Sequence, residues 1–280
     1  MKTIIQKSIL AACLIAFPST LPADNIIIAD DFNGINGAAL AGRAPDLVNL
    51  PGISYSVNGT TPTLDTSGIG NIPLGIGLQS VASTSYNSAS WLSIGSNGGY
   101  IKPSILTLSA TIDTHSIDGF TLPDAFHVTR GIGLGFFNSA PQNGDADASI
   151  RFTGLAVNVG SNSYLTLFAN GVPQSAKVIV PSGTMHRLTY SIDTTTGAIT
   201  SVFFDSTDLA STFSGSSSAS IFTDTATNLM GFYGSSASLG TTGYVGSFVL
   251  SSTSTVPEPA STVLLICGAS LIGLRRRRSR

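Results

Sequence analysis

Hydrolytic chemistry on a sugar needs paired carboxyl groups, about 5 to 9.5 Å apart, one protonated and one ionised. Of the 15 acidic residues in this chain, all but Glu258 are aspartates. Asp145 and Asp147 have alternate spacing, but they sit in the polar turn Gln142-Asn143-Gly144-Asp145-Ala146-Asp147. A wet loop supplies little of the desolvation that an aspartate, starting from a pKa of about 3.9, needs to remain an acid near neutral pH. The three histidines, His115, His127 and His186, are isolated. Cys13 and Cys267 lie in apolar segments at the two ends, so a zinc site has little to build on. No G-x-S-x-G elbow, H-E-x-x-H or P-loop pattern occurs. Gly131-x-Gly133-x-Gly135 imitates part of a dinucleotide fingerprint, but a strand pattern continues where a helix should begin. Alternate glycines there leave room for a side chain to pack close to that sheet face. The expectation is a protein with no catalytic residues.

Binding chemistry has more material. Calcium takes clustered oxygen ligands, and two groups offer them: Asp30 with Asp31, or Asn143 with Asp145 and Asp147. A structural calcium is the one ion these residues would hold; no other cofactor is implied. Aromatic faces beside amides suit sugars, and Trp91 and Tyr100 are the leading rings, with Tyr55, Tyr86, Asn87 and Asn97 nearby in sequence. Taken singly, each of those rings reads better as a core-packing residue.

The elements that must position these residues are strands. Gly, Ser, Thr and Asn are abundant, charges are sparse, and short alternating segments recur between turn residues. Leu106, Leu108, Ala110 and Ile112 fall on one face of a strand, with Thr107, Ser109 and Thr111 on the other. His186, Leu188, Tyr190 and Ile192 repeat the pattern. The turn Asp193 to Gly197 joins that strand to Ile199–Asp205 as a hairpin. Further strands are expected at 26–32, 53–57, 76–81, 90–94, 127–137, 149–159, 164–169, 229–233 and 244–250. Residues 207–220 read as a Ser-rich loop and 251–255 as a flexible Ser/Thr linker. The expected fold is all-β, a sandwich or barrel over residues 24–250.

Both ends differ from this body. Lys2 and Lys7 precede an apolar run from Ser8 to Phe17, broken from Pro18 onward, which is the layout of a secretory signal peptide over 1–23 with cleavage after Ala23. At the other end Val256-Pro257-Glu258-Pro259-Ala260-Ser261 leads into an apolar stretch, 260–274, and then Arg275-Arg276-Arg277-Arg278-Ser279-Arg280. The prolines hold the approach extended. The apolar segment can form a helix in lipid with its arginines on the cytoplasmic side. It is shorter than the roughly 20 residues of a durable span, which fits a transient anchor in the inner membrane. The ends also take seven of the 13 basic residues, leaving six in the body against its 14 aspartates. The exported part is acidic, and nucleic acid is excluded as a partner of any basic surface.

The order of short motif, short helix and basic tail over 256–280 closely resembles the PEP-CTERM sorting signal of exopolysaccharide-producing Gram-negative bacteria. The resemblance implies an exosortase as partner, acting near Val256, Pro257, Glu258, Pro259 and Ala260 and leaving the product at the cell surface or in the extracellular polysaccharide. A second resemblance spans most of the body. Asp30-Asp31-Phe32-Asn33-Gly34, the segment Leu40 to Asp46, Gly133-Leu134-Gly135-Phe136-Phe137, the stretch His186 to Gly197, Gly231-Phe232-Tyr233 and Val245-Gly246-Ser247-Phe248 occur in the order found in concanavalin A-like (laminin G-like) domains. That family implies an antiparallel two-sheet jelly-roll sandwich whose first and last strands are often neighbours. Retaining glucanases on the same fold carry a glutamate pair with an aspartate between; no glutamate precedes Glu258, which counts against a polysaccharide hydrolase. The function implied is an exported surface or matrix protein with a structural or carbohydrate-contacting sandwich. An unprocessed, membrane-anchored surface protein is the other reading of the tail.

Overall fold

The structure, a computed structural model, describes residues 25–50, 52–59, 63–65, 75–79, 87–94, 104–113, 131–137, 139–140, 152–158, 163–169, 171–181, 185–214, 229–235 and 242–254. Two antiparallel sheets account for most of them. In the first, β14 (Thr207–Asp208), β13 (Ile199–Phe204), β12 (Met185–Asp193), β7 (Ser104–Asp113), β16 (Thr242–Ser254), β1 (Asn25–Asp30) and β2 (Leu47–Val48) lie side by side. β5 (Gly75–Gln79) joins the opening half of β16, and β4 (Thr63–Asp65) joins β5. The second sheet runs β11 (Val172–Val180), β10 (Ser163–Ala169), β9 (Phe152–Asn158), β8 (Gly131–Phe137), β15 (Leu229–Ser235), β6 (Asn87–Ser93) and β3 (Tyr55–Gly59). The chain is thus an all-β jelly-roll sandwich, and its first and last described strands, β1 and β16, are neighbours.

Alternation builds the core between the sheets. Leu106, Leu108, Ala110 and Ile112 of β7 meet Leu188, Tyr190 and Ile192 of β12 and, from the other sheet, Ile132, Leu134 and Phe136 of β8. One hydrogen bond crosses the layer: the buried Tyr190 hydroxyl donates to the Leu134 carbonyl, 2.5 Å away. Burial pushes the Tyr190 hydroxyl far up, so it stays a donor at any ordinary pH.

The two outer faces differ. On the first sheet, Thr107 and Ser201 each share a 2.9 Å hydrogen bond with the Ser191 hydroxyl, and Ser109 pairs with Thr189 at 2.8 Å. On the second, the side chains that alternate with Ile132, Leu134 and Phe136 form another apolar cluster: Trp91, Phe137, Phe152, Phe168 and Tyr233. The glycines of β8 and β15 make that cluster fit. A Cβ on Gly133 would lie 2.1 Å from Cε1 of Tyr233, so the alternate glycines do admit a close-packed side chain. A Cβ on Gly231 would lie 2.0 Å from the Ser90 carbonyl oxygen and 2.7 Å from the Trp91 Cα. Both are backbone atoms of the neighbouring strand and cannot swing aside. Gly231→Ala should therefore destabilise the domain by about 3 kcal/mol, a fall of roughly 6–12 °C in melting temperature for a domain of this size. Melting followed by circular dichroism reads this directly, and an unchanged Tm would show that the β6–β15 spacing is adjustable.

Several expectations need correcting. Val172–Val180, not expected as a strand, is the edge of the second sheet; its Pro173 is tolerated because an edge strand has a free side. Thr207 and Asp208 return on β13 through a tight turn at Asp205 (φ 54°), and Ala210–Phe213 forms a single helical turn, α1, that buries Phe213, so 207–220 is not one loop. Residues 251–254 of the expected 251–255 linker belong to a strand. β16 continues through Ser254, and Ser251 and Ser252 are buried and paired to β7 on one side and β1 on the other. Small polar residues read as a flexible stalk by composition, but with strands on both sides their backbone groups complete the ladder.

Candidate functional site

The two ends of the sandwich domain converge on one corner. Asn25, two residues past the expected signal cleavage, sits opposite Ser252, and Ile26 opposite Ser251. On the other side of β16, Ser252, Thr253 and Ser254 face Leu106, Ile105 and Ser104 of β7. Asp193 faces Ile105 from β12, so the Asp193–Gly197 turn occupies the same end of the sheet. That turn is held by the Asp193 carboxylate, which accepts the N–H groups of Thr195 (2.7 Å) and Thr196 (3.2 Å). Signal-proximal and tail-proximal residues therefore leave from adjacent strands at one end of the molecule. The expected processing residues themselves, Ala23, Val256, Pro257, Glu258, Pro259, Ala260 and Arg275 to Arg278, lie outside the described residues. So does the apolar stretch 260–274; among the described residues no helix is long and apolar enough to cross a membrane.

At the far end of β1 lies the most charged cluster of the described residues. Asp30 is buried, and its Oδ1 accepts the Phe32 N–H at 2.7 Å while its Oδ2 pairs with Nη1 of Arg43. The same guanidinium reaches Oδ1 of Asp46 at 2.7 Å and the Asn33 carbonyl at 3.1 Å. Asp46 also accepts the Asp31 N–H at 3.0 Å. Arg43 in turn is stitched to the second sheet, its carbonyl accepting the Tyr55 N–H at 2.9 Å. Phe32, at φ 55°, is turned inward, where its ring meets Phe232 edge-on with centroids 6.0 Å apart. The cluster thus locks the crossing from β1 to β3. Burial raises the Asp30 carboxyl above its ordinary value; Arg43 and the Phe32 N–H offset only part of that. Burial lowers the Arg43 guanidinium, but Asp30 and Asp46 more than reverse this and hold it charged.

Of the calcium candidates, Asp30 and Asp31 do not converge as ligands: both Asp30 oxygens are engaged by Arg43 and Phe32, and Asp31 is exposed. Asn143, Asp145 and Asp147 lie outside the described residues, and among the described residues no three His, Cys, Asp or Glu side chains gather as a metal site would need. Of the sugar-stacking candidates, Trp91 is only 8 % exposed and packs against Phe137 with ring centroids 6.3 Å apart. Tyr55 is buried in the inter-sheet core. Tyr100, Tyr86 and Asn97 lie outside the described residues. His186, isolated from the other histidines in the sequence, lies over the Phe204 ring and shares a 2.7 Å hydrogen bond with Asp205. Burial opposes ionisation of Asp205, but the Arg187 N–H and His186 outweigh it and hold that carboxyl below its ordinary value.

Solved structures similar in fold include a protein of unknown function from Shewanella oneidensis MR-1 (14% identity, TM-score 0.49, covering 87% of this chain and 92% of that one). Others are the lectin UEA-II, solved with galactose (10% identity, TM-score 0.47, 82% and 100%), and Cellulose induced protein, Cip1 (10% identity, TM-score 0.45, 82% and 99%). No curated protein matches the sequence. The particular assignment comes from the tail: residues 255–279 match the family model of the PEP-CTERM protein-sorting motif. The chain carries that sorting signal directly after the last described strand of the sandwich.

Proposed function

We propose that this is an exported, non-enzymatic surface or matrix protein, delivered by its C-terminal signal to an exosortase. The match of residues 255–279 to the PEP-CTERM motif carries the reading. The N-terminal signal segment takes the chain across the inner membrane and is removed after Ala23. The apolar segment 260–274 then holds it there, with Arg275 to Arg278 in the cytoplasm. Processing near Pro257 to Ala260 frees the sandwich to the cell surface or the extracellular polysaccharide. The sandwich acts there as a structural module in contact with polysaccharide. Burial of Trp91 and Tyr55 supports a structural use of these two rings over stacking on sugars. The test is fractionation of the full chain beside a chain stopped after Ser254. The full chain should pass through the inner membrane before release, whereas the shortened one should never be retained there. Membrane retention of the shortened chain would overturn the reading.

A further inference from the structure

We propose that the folded sandwich gates its own release: the last residues of β16 must unpair from β7 before the sorting motif can be cut. The inference rests on the sorting reading and adds a regulatory step to it. Its basis is spacing. β16 is paired through Ser254 opposite Ser104, and the sorting motif begins at residue 255. Two residues, Thr255 and Val256, lie between Ser254, the last described residue of the ladder, and Pro257, so even a fully extended chain gives at most about 10 Å there. Enzymes that cut peptides commonly take them extended, as an added strand with main-chain hydrogen bonds on either side of the scissile bond. Two residues are too few for that while Ser254 belongs to another sheet.

The ladder itself shows which part opens. Ser251 and Ser252 have partners on both sides, Thr107 and Leu106 on β7 and Ile26 and Asn25 on β1. Beyond Ser252, the partners of Thr253 and Ser254 among the described residues are on β7 alone. Freeing these two lengthens the extended arm from Ser252 to Pro257 to about 17 Å. Ser252 then remains the last anchored residue, so the sandwich need not unfold.

The experiment is a pulse-chase of the full chain in its native host, reading the appearance of released product. A Gly-Ser-Gly-Ser-Gly-Ser insert between Ser254 and Thr255 removes the need to unpair, without moving the motif relative to the apolar segment or the arginines. It should speed release about tenfold, the bias that one rung of backbone hydrogen bonds places on the open fraction. Conversely, Ile105→Cys with Thr253→Cys puts two thiols on directly opposed residues, a spacing that suits a disulfide. The oxidised pair should be released at least about ten times more slowly than the same protein treated with dithiothreitol, because a covalent bond and not a hydrogen-bonded rung now holds residue 253 on β7. Equal release of insert and parent, or of the oxidised and reduced pair, overturns the gate. Should the cysteine pair fail to fold, the insert decides alone. A Glu258→Ala chain followed alongside separates the two levels. If it is released normally, the sorting reading falls and takes the gate with it. If it is blocked while the insert changes nothing, the gate alone is wrong.

Discussion

A chain carrying Glu258→Ala should reach the inner membrane normally and then remain there. Insertion depends on the apolar stretch 260–274 and the arginines that follow, and the substitution touches neither. The motif, however, loses its only charge, and Glu258 is also the only glutamate of the chain. A carboxylate recognised by hydrogen bonds to a charged partner is worth about 1.5–3 kcal/mol, so release should fall by at least about tenfold. Cell fractionation reads this as a shift from released to membrane-bound protein. Normal release would mean that Glu258 is not read.

The second large effect is on stability. Arg43→Met should destabilise the domain by about 3–5 kcal/mol at neutral pH, because it leaves the Asp30 carboxylate buried without its cation. The deficit should shrink as pH falls. Asp30 already lies above its ordinary value through burial, with Arg43 offsetting part of the rise. A raised folded pKa makes a contribution that is fully present below the unfolded value of 3.8 and lost as pH rises through the folded one. Without Arg43 the folded value rises further and that loss deepens. As pH falls through the two folded values, Asp30 is protonated in both proteins, first in the one without Arg43, and the lost contacts to Asp46 and Phe32 make up a growing share of the difference. Denaturant titrations at pH 7 and pH 4 measure the change. An equal deficit at both would show that the Asp30–Arg43 charge pair contributes little.

The strands were legible where alternation is clean. β7, β12 and β13 fall within two residues of expectation because their apolar and hydroxyl residues alternate without a break. β11 was missed because Pro173 and the mixed run Gln174-Ser175-Ala176 hide its period, and only its place at the sheet edge makes them acceptable. The stretch 251–254 was misread for a different reason. Serine and threonine do not say whether a strand waits on each side, and here both β1 and β7 do. The Asp30 cluster shows a third limit. Adjacent aspartates suggested an ion, whereas the counter-charge lies 13 residues downstream at Arg43, brought back by the inward turn at Phe32. Two of the motif pieces that carried the family resemblance, Asp30 to Gly34 and Leu40 to Asp46, hold the two halves of that ion pair. Their fixed order was the one signal from which it could have been read. The sorting signal needed no tertiary partner, since order and composition along the chain define it, and the motif match covers nearly the same residues.

The most direct test of the account is the intact mass of the protein released by its native host. Processing at both ends predicts a product that begins near Asp24 and ends between Pro257 and Ala260. Released protein whose C terminus is still Arg280 would contradict it.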